Sequence, residues 1–223
     1  MPIPKALVAW SSGKDSAWAL HEVRRAGAFE VVGLLTTVTA EFERVSMHAV
    51  RERLLDLQAA SLGIPCRKVR IPWPCPNEAY EAEMARAIAD ARAAGVSHVV
   101  FGDLFLEDVR AYREAKLAGT GVAPVFPLWG RPTADLAREM LRGGLRATLT
   151  CVDPRALDPA FAGRAFDASL LAELPPEVDP CGERGEFHTF AWAGPMFSAP
   201  IPVTPGEVVT REGFVFADLS PAG

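Results

Sequence analysis

Residues 7–20 read LVAWSSGKDSAWAL, and this stretch decides the fold. An apolar run passes through small and polar residues into a segment of helical period, which is typical of a strand, turn and helix in an α/β sheet. At such a turn the first N–H groups of the helix and the positive end of its dipole attract anions. The stretch therefore indicates either a phosphate-binding loop or a plain turn whose helix is capped by Ser12 or Asp15.

The turn carries several groups that suit a phosphate. Serine hydroxyls can donate hydrogen bonds, Gly13 lets the backbone approach closely, and Lys14 supplies a cation. The turn is not a Walker A loop, because no glycine stands five residues before Gly13 and Asp15 replaces the required Ser or Thr. The predicted nucleotide-binding residues are Ser11, Ser12, Gly13, Lys14, Asp15 and Ser16.

Strand-like and helix-like segments alternate along the first two thirds of the chain. β-branched apolar runs separated by segments of helical period predict strand–helix–strand units around a mainly parallel sheet, which is the α/β class. The strands are predicted at 5–10, 30–38, 66–71 and 97–103, and the helices at 16–26, 47–62, 77–94 and about 106–118.

The stretch GTGVAPVFPLWGRPT, residues 119–133, is rich in Gly and Pro and predicts a junction rather than a regular element. It divides the chain into a nucleotide-binding α/β domain, 1–125, and a smaller substrate-binding α+β domain, 126–223. Thr133 is a candidate cap for a helix that ends near Gly143. Further strands are predicted at 145–153, 187–193, 206–210 and 213–219, with a proline-broken region at 153–186.

Composition narrows the class of function. A net charge of −5 disfavours a large nucleic-acid footprint, so small substrates fit better than a duplex or a tRNA. No apolar run approaches the roughly 18 residues of a membrane helix, and four widely spaced cysteines form no C-x-x-C pair. These features predict a cytoplasmic protein that does not bind a membrane, with reduced structural thiols.

The turn at 11–16 resembles the PP-loop, S-G-G-x-D-S, of the N-type ATP pyrophosphatase superfamily, with Ser12 in place of the first glycine. Its members cleave ATP between the α and β phosphates, so the resemblance implies ATP as cofactor. The substitution is costly if the position needs a positive φ, which glycine adopts more readily than serine.

Five further motifs resemble the diphthine–ammonia ligase family, and the resemblance spans about residues 5 to 200. They are Met47-His48-Ala49-Val50-Arg51, Leu62-Gly63-Ile64-Pro65, Phe101-Gly102-Asp103, Pro127-Leu128-Trp129 and Asp179-Pro180-Cys181-Gly182-Glu183-Arg184-Gly185-Glu186-Phe187-His188-Thr189. The resemblance implies a HUP-like (adenine nucleotide alpha hydrolase-like) sheet, a smaller C-terminal domain and an active cleft between the two. It also implies a reaction in which ATP adenylates a carboxylate and ammonia displaces AMP to give an amide.

Adenylation needs donors for the leaving pyrophosphate and a cation for the developing charge. We therefore expect Lys14 to act on the phosphates and Asp15 and Asp103 to hold Mg²⁺. Glu183 and Glu186 are candidates for binding or deprotonating ammonium. The predicted catalytic residues are Lys14, Asp15, Asp103, Glu183 and Glu186, and the predicted substrate-binding residues are His48, Arg51, Gly102, Glu183, Glu186 and His188.

The acceptor stays open at this point. His188 stands where the diphthamide-making members carry glutamate, so the resemblance predicts a small-molecule or protein-borne carboxylate without naming it. Two other functions remain: a PP-loop enzyme that modifies RNA through a reactive cysteine, and a non-catalytic ATP-binding module. The sequence is also compatible with a homo-oligomer.

Overall fold

The computed structural model describes residues 2–41, 44–45 and 50–222. The first half alternates strands and helices, as the periodicity predicts. Its elements are β1 (Lys5–Ala9), α1 (Lys14–Ala26), β2 (Glu30–Thr39), β3 (Arg44–Val45), α2 (Glu52–Leu62), β4 (Cys66–Ile71), α3 (Asn77–Ala93), β5 (Val96–Val100), α4 (Glu107–Leu117) and β6 (Ala123–Val125).

These strands form one six-stranded sheet. Five of them run parallel in the order β4, β2, β1, β5, β6, and β3 pairs antiparallel with the end of β2. The chain leaves β1 toward β2 on one side, and β5 lies on the other. This reversal makes β1 and β5 a topological switch point, where open α/β sheets bind their ligands beyond the carboxyl ends of the strands.

The second half builds a separate antiparallel sheet. Its elements are α5 (Thr133–Arg142), β7 (Arg146–Val152), a short 3₁₀ helix (Pro159–Phe161), α6 (Ala168–Glu173), β8 (Phe187–Ala193), β9 (Val203–Arg211) and β10 (Phe214–Pro221). The strand order is β8, β7, β10, β9. The α/β class with a HUP-like sheet and a smaller α+β part is thus confirmed.

Helix α1 shows how the sequence sets these elements. Ala17, Leu20 and Val23 lie on one face at helical spacing and are buried. Gly27 ends the helix in a left-handed conformation, φ 64°, and its N–H donates to the carbonyls of Val23 and Arg24. Residues of both sheets pack into one continuous apolar cluster, so the two halves share a core.

Two local predictions are wrong. Strand β6 lies inside the stretch that we interpreted as an irregular junction, where three residues pair with β5. Thr133 does not cap α5, because Pro132 occupies the cap position and the Thr133 hydroxyl donates to Asp179 instead, at 2.6 Å. The division at residues 125 and 126 stays a prediction.

In the described ranges, every helix is too short or too polar to cross a bilayer.

Candidate active site

The turn after β1 begins helix α1 without a capping side chain from the turn itself. Gly13 occupies the cap position of α1 with φ −84° and ψ 172°, and as a glycine it brings no side chain of its own to cap the helix. The alternative in which Ser12 or Asp15 caps α1 is therefore wrong. Ser16 Oγ donates to the Gly13 carbonyl at 3.0 Å and lies 3.2 Å from Ser11 Oγ, so two of the predicted hydroxyls meet in the turn.

Ser12 carries backbone strain. Its φ is 72°, a left-handed conformation that costs an L-residue other than glycine about 1–2 kcal/mol. The side chain is fully buried, and its Oγ has no hydrogen-bond partner among the described residues. The position therefore needs the positive φ that the usual glycine of the PP-loop would supply at lower cost.

We predict that Ser12→Gly stabilises the protein. Relief of the left-handed strain exceeds the extra chain entropy of glycine, which leaves a net gain of about 0.5–1 kcal/mol. Thermal unfolding should show a melting temperature higher by roughly 1–4 °C. Ser12→Ala is the matched control, because it removes the hydroxyl and keeps the strain; equal stability of the two variants would contradict this account.

Gln58 holds the strained residue in place, and sequence reasoning missed it. Its side chain is fully buried in α2 and accepts a hydrogen bond from the Trp10 indole at 2.9 Å. Its amide nitrogen donates to the carbonyls of Ser12, at 3.0 Å, and Ala191, at 2.6 Å. A signal was available, because Gln58 falls between Leu54 and Leu62 on the apolar stripe of the helix.

Strand β8 forms a wall of the turn. Its Thr189 hydroxyl accepts from the Lys14 backbone N–H at 3.1 Å, and its Ala191 N–H donates to the Ser12 carbonyl at 2.9 Å. A side chain at Gly13 would come within 3.2 Å of the Thr189 carbonyl. The C-terminal half therefore shapes the turn that the N-terminal sequence motif predicts.

The Lys14 side chain is buried between the two halves. Its Nζ donates to the Asp15 carboxylate at 2.8 Å and to the Cys181 carbonyl, and it lies 5.5 Å and 5.3 Å from the ring centroids of Phe166 and Phe187. Burial alone would lower the pKa of Lys14, but the Asp15 charge raises it above its usual value. These contacts tie the amine to protein groups, whereas the sequence predicts a contact with phosphate.

Three carboxylates, Asp15, Asp103 and Glu183, lie close enough to interact electrostatically beside this lysine. Glu183 Oε1 accepts from the Leu104 N–H at 2.7 Å, which joins the C-terminal signature to the loop after β5. Burial raises the pKa of Glu183 to about 7, and the charges of Asp15 and Asp103 add to the shift. Within the described residues, Asp15 Oδ1 and Asp103 Oδ2 are buried oxygens that accept no hydrogen bond.

Asp103 is paired loosely with Arg113. Arg113 Nε lies 3.6 Å from Asp103 Oδ2, too long for a hydrogen bond, and its guanidinium lies 5.0 Å from the Phe101 ring centroid. Burial raises the pKa of Asp103, and the Arg113 charge opposes that shift. Arg113 thus favours the ionised form of this carboxyl group.

Gly102 brings the two loops together. A Cβ at this position would lie 2.9 Å from the Asp15 carbonyl carbon and from the Ser16 nitrogen, both backbone atoms that cannot move aside. The loop after β5 therefore packs directly on the first turn of α1. The resemblance implies that Gly102 leaves room for substrate. The structure gives a second reason for glycine here, because any side chain would collide with the backbone of α1.

The loop between Asp179 and Glu186 is held by its own carboxylates. Asp179 Oδ1 accepts from the N–H groups of Cys181, at 2.9 Å, and Glu183, at 3.3 Å. Glu186 accepts from the N–H groups of Asp179 and Arg184, each at 2.9 Å, and is buried. Asp179 was not among the predicted residues, although its loop was, and these bonds fix the backbone that presents Glu183.

Two predicted substrate residues lie away from this cluster. Phe187 and Thr189 both contact Lys14, and successive side chains of a strand alternate, so His188 lies on the other face of β8. The half-exposed Arg51 pairs with Asp218 of β10, as does Arg44 at 2.9 Å. His48 lies outside the described residues, so its predicted role stays a prediction.

Cys151 and Cys181, the two cysteines that an RNA-modifying enzyme would use as nucleophiles, are both buried. Burial raises the pKa of Cys151 to about 12 and also raises the pKa of Cys181, so both thiols stay neutral near pH 7. A thiolate is the reactive form. The RNA-modifying alternative, which needs such a cysteine, loses its chemical support.

A cavity of about 680 Å³ opens on the outer side of α1, toward α5. Trp18, His21, Arg25 and Arg131 line it, and none of the predicted site residues does. The carboxylate cluster around Lys14 is therefore distinct from this groove.

Comparison with known proteins assigns the family. A model described as the diphthamide synthase N-terminal domain matches residues 4–122, and one described as the diphthamide synthase C-terminal domain matches residues 132–218. The chain is 26% identical to proteins named diphthine–ammonia ligase from Bos taurus and Homo sapiens, over 94% of this chain and 86% of each relative. A protein of the same name from Danio rerio is 27% identical over 94% of this chain and 90% of its own. This chain belongs to the diphthamide synthase family, whose relatives found here are ligases by name.

Proposed function

We propose that this protein is an ATP-dependent ligase that converts a carboxylate into an amide. A carboxylate oxygen of the acceptor attacks the α-phosphorus of ATP, the bond from that phosphorus to the β-phosphate oxygen breaks, and pyrophosphate leaves. Ammonia then attacks the acyl carbon, the bond to the AMP oxygen breaks, and the nitrogen gives up a proton to leave the amide. The relatives' name makes diphthine the first acceptor to test, and His188 is the reason to test others beside it.

One observation carries the proposal: Glu183 and Asp103 meet beside the PP-loop at the switch point of the parallel sheet. The PP-loop follows β1 and Asp103 follows β5, the two strands that flank the reversal. Glu183 joins them from the second half through its bond to the Leu104 N–H. Nucleotide chemistry and proton transfer can then occur in one cleft.

The PP-loop would bind the phosphates through its backbone and serine hydroxyls. The start of α1 would offer a positive dipole and the N–H groups other than that of Lys14, which Thr189 binds, to the leaving pyrophosphate. Lys14, by contrast, would hold the loop and the Cys181 carbonyl together while its charge acts on the phosphates from a distance. Gly102 would keep the loop after β5 packed closely against the backbone of Asp15 and Ser16.

Mg²⁺ is the ion that ATP chemistry of this kind uses, and it would neutralise phosphate charge in the transition state. Asp15 and Asp103 fit it chemically, because each has a buried oxygen without a donor and carboxylate oxygens are preferred ligands of Mg²⁺. Among the described residues no group of three or more metal-binding side chains gathers, so the two aspartates would act together with phosphate oxygens and water.

Glu183 would hold ammonium and take its proton. A carboxyl group with a pKa near 7 is both ionised and basic enough to act at neutral pH. Glu186 would act indirectly, because its two oxygens hold the loop that carries Glu183.

We predict that Glu183→Gln lowers the rate of amide formation by about 100-fold, the usual contribution of a general base. In the wild type the rate with ammonia should rise through about pH 7 as Glu183 loses its proton and then level off, whereas the variant should only follow the growing fraction of free ammonia, without a change of slope near pH 7. Initial rates of AMP release between pH 5.5 and 8.5 measure both effects. Glu177→Gln, an exposed change nearby, is the matched control.

The same variant should be more stable than the wild type at high pH. The folded-state pKa of Glu183 lies above the unfolded value, so the ionised group opposes folding, and wild-type stability falls as the pH rises toward about 7. Urea unfolding at pH 8 should therefore favour Glu183→Gln, with a smaller difference at pH 5. Lost activity together with lost stability at pH 8 would contradict the proposed role.

The overall reaction is tested with ATP, Mg²⁺, ¹⁵N-labelled ammonium and a panel of acceptors that includes diphthine-bearing protein and free carboxylates. Acceptor-dependent AMP and pyrophosphate, with ¹⁵N in the product, support the proposal, and release of ADP contradicts it. Asp103→Asn should abolish turnover, whereas Asp108→Asn, an exposed change on α4, should not. ATP binding with no turnover across the panel would favour a non-catalytic module.

A further inference from the structure

Strand β9 is an exposed edge of the second sheet. In the described part of the chain it pairs with β10 alone, and its other side has no strand. The residues from Thr204 to Val208 are all exposed, without the alternation of buried and exposed side chains that is typical of a strand with one covered face. Val208 keeps 56% of its surface accessible to solvent. Natural proteins rarely leave such an edge unprotected, since it offers a row of free N–H and C=O groups to another strand.

The geometry of the hairpin between β9 and β10 determines which backbone N–H and C=O groups of β9 point away from β10. Arg211 and Phe214 face each other across the two-residue turn Glu212-Gly213, whose φ values of 50° and 82° suit a tight hairpin. The pair that closes such a turn is hydrogen-bonded, and pairs alternate along an antiparallel ladder. Thr210 and Val208 therefore direct their N–H and C=O groups outward.

One register makes this edge complementary to itself. If two copies of β9 pair antiparallel about a two-fold axis at Val209, Val208 of one copy faces Thr210 of the other, and their outward groups match. Glu207 then faces the partner's Arg211, and Arg211 faces the partner's Glu207. Neither Glu207 nor Arg211 has an ion-pair partner in the described chain, so each is available for this contact. Pro205 falls outside the paired segment.

The side chains on one face support the same register. Val209 pairs with Phe216, and Arg211 with Phe214, so these four residues share a face of the sheet. Phe214 and Phe216 lie 6.4 Å apart and are half-buried. Pairing at Val209 would continue this apolar row across the axis, with an opposite-charge pair on either side.

We propose that β9 is a dimerisation edge, through which two copies of this chain form one continuous antiparallel sheet of eight strands. The paired segment is short, from Glu207 to Arg211, and interfaces below about 1,200 Å² in total are typical of weak complexes. The dimer therefore forms in a concentration-dependent manner. It does not depend on the proposed reaction.

Sedimentation velocity over a range of protein concentrations tests the proposal. The wild type shows a monomer–dimer equilibrium. Arg211→Glu raises the dissociation constant by about tenfold or more, because Glu207 of each copy then faces a second glutamate, at position 211 of the other copy. The double variant Glu207→Arg, Arg211→Glu exchanges the two charges and restores the dimer. Thr210→Pro removes an outward N–H without removing a bond to β10, and it also yields monomer.

Circular dichroism confirms folding of each variant, and Glu78→Arg, an exposed charge reversal on α3, leaves the equilibrium unchanged. A wild type that stays monomeric at every concentration overturns the proposal. A dimer that survives both Arg211→Glu and Thr210→Pro overturns it as well, since another surface then holds the copies together. Failure of the double variant to restore the dimer contradicts the register at Val209.

Discussion

Replacing Gln58 with glutamate is expected to destabilise the protein by more than about 3 kcal/mol at neutral pH, the cost of burying an unpaired charge. The native amide nitrogen donates to the carbonyls of Ser12 and Ala191. A carboxylate oxygen in its place would face two carbonyl oxygens in a fully buried position. Urea unfolding measures the loss, which should shrink as the pH falls, because a buried acid has a raised pKa and its neutral form can donate once.

Two further variants separate charge from the loss of hydrogen bonds. Gln58→Leu removes the polar group and leaves the Trp10 indole N–H without its acceptor, at a cost of about 1–3 kcal/mol. Ala60→Glu adds a carboxylate to an exposed position on the same helix and should have little effect. If Gln58→Glu were as stable as Ala60→Glu, the amide would not join the PP-loop to β8.

The second large effect is expected for Lys14→Met, which fills similar space without the charge. The Asp15 carboxylate and the Cys181 carbonyl would lose their donor in the interior. Breaking a buried ion pair on one side costs about 3–5 kcal/mol. Chemical denaturation should show this loss, and the loss should be smaller at low pH, where Asp15 becomes neutral.

The double variant Lys14→Met, Asp15→Asn provides the control for this pair. Removing both partners is far less costly than removing one, so it should recover much of the stability. A single Lys14→Met variant with wild-type stability would contradict the buried position of the amine. It would favour the arrangement that the sequence suggests, with Lys14 exposed to the phosphates.

Local patterns predict the fold because each of its units is local. The apolar run at 7–10, the turn at 11–13 and the apolar face of α1 follow one another in the chain, and the same succession recurs toward β5. Parallel strands then bring the loops after β1 and β5 to one edge of the sheet without further information. Strand β6 escaped prediction because it is three residues long and lies among Gly and Pro.

The partners of individual side chains could not be predicted in this way. Lys14 contacts Cys181, and Gln58 contacts Ala191, across sequence distances of 167 and 133 residues. Periodicity carries no information over such separations, so a lysine in a phosphate motif is naturally assigned to phosphate. The strain at Ser12 could be predicted in part. The sequence shows a serine where the PP-loop usually has glycine, and a serine is costly there if φ is positive, but only the structure shows that φ is positive.

The bond from the Lys14 N–H to the Thr189 hydroxyl spans 175 residues, and it has a consequence for synthesis on the ribosome. The chain emerges with its N-terminus first, yet β8, which supports the turn at residues 11–16, is among the last strands to be translated. A nascent chain stalled before Thr189 would contain the complete sequence of the motif but would lack the strand that fixes its folded conformation. The proposed ATP site would thus be completed late in translation, when β8 docks, and prematurely terminated products would lack it.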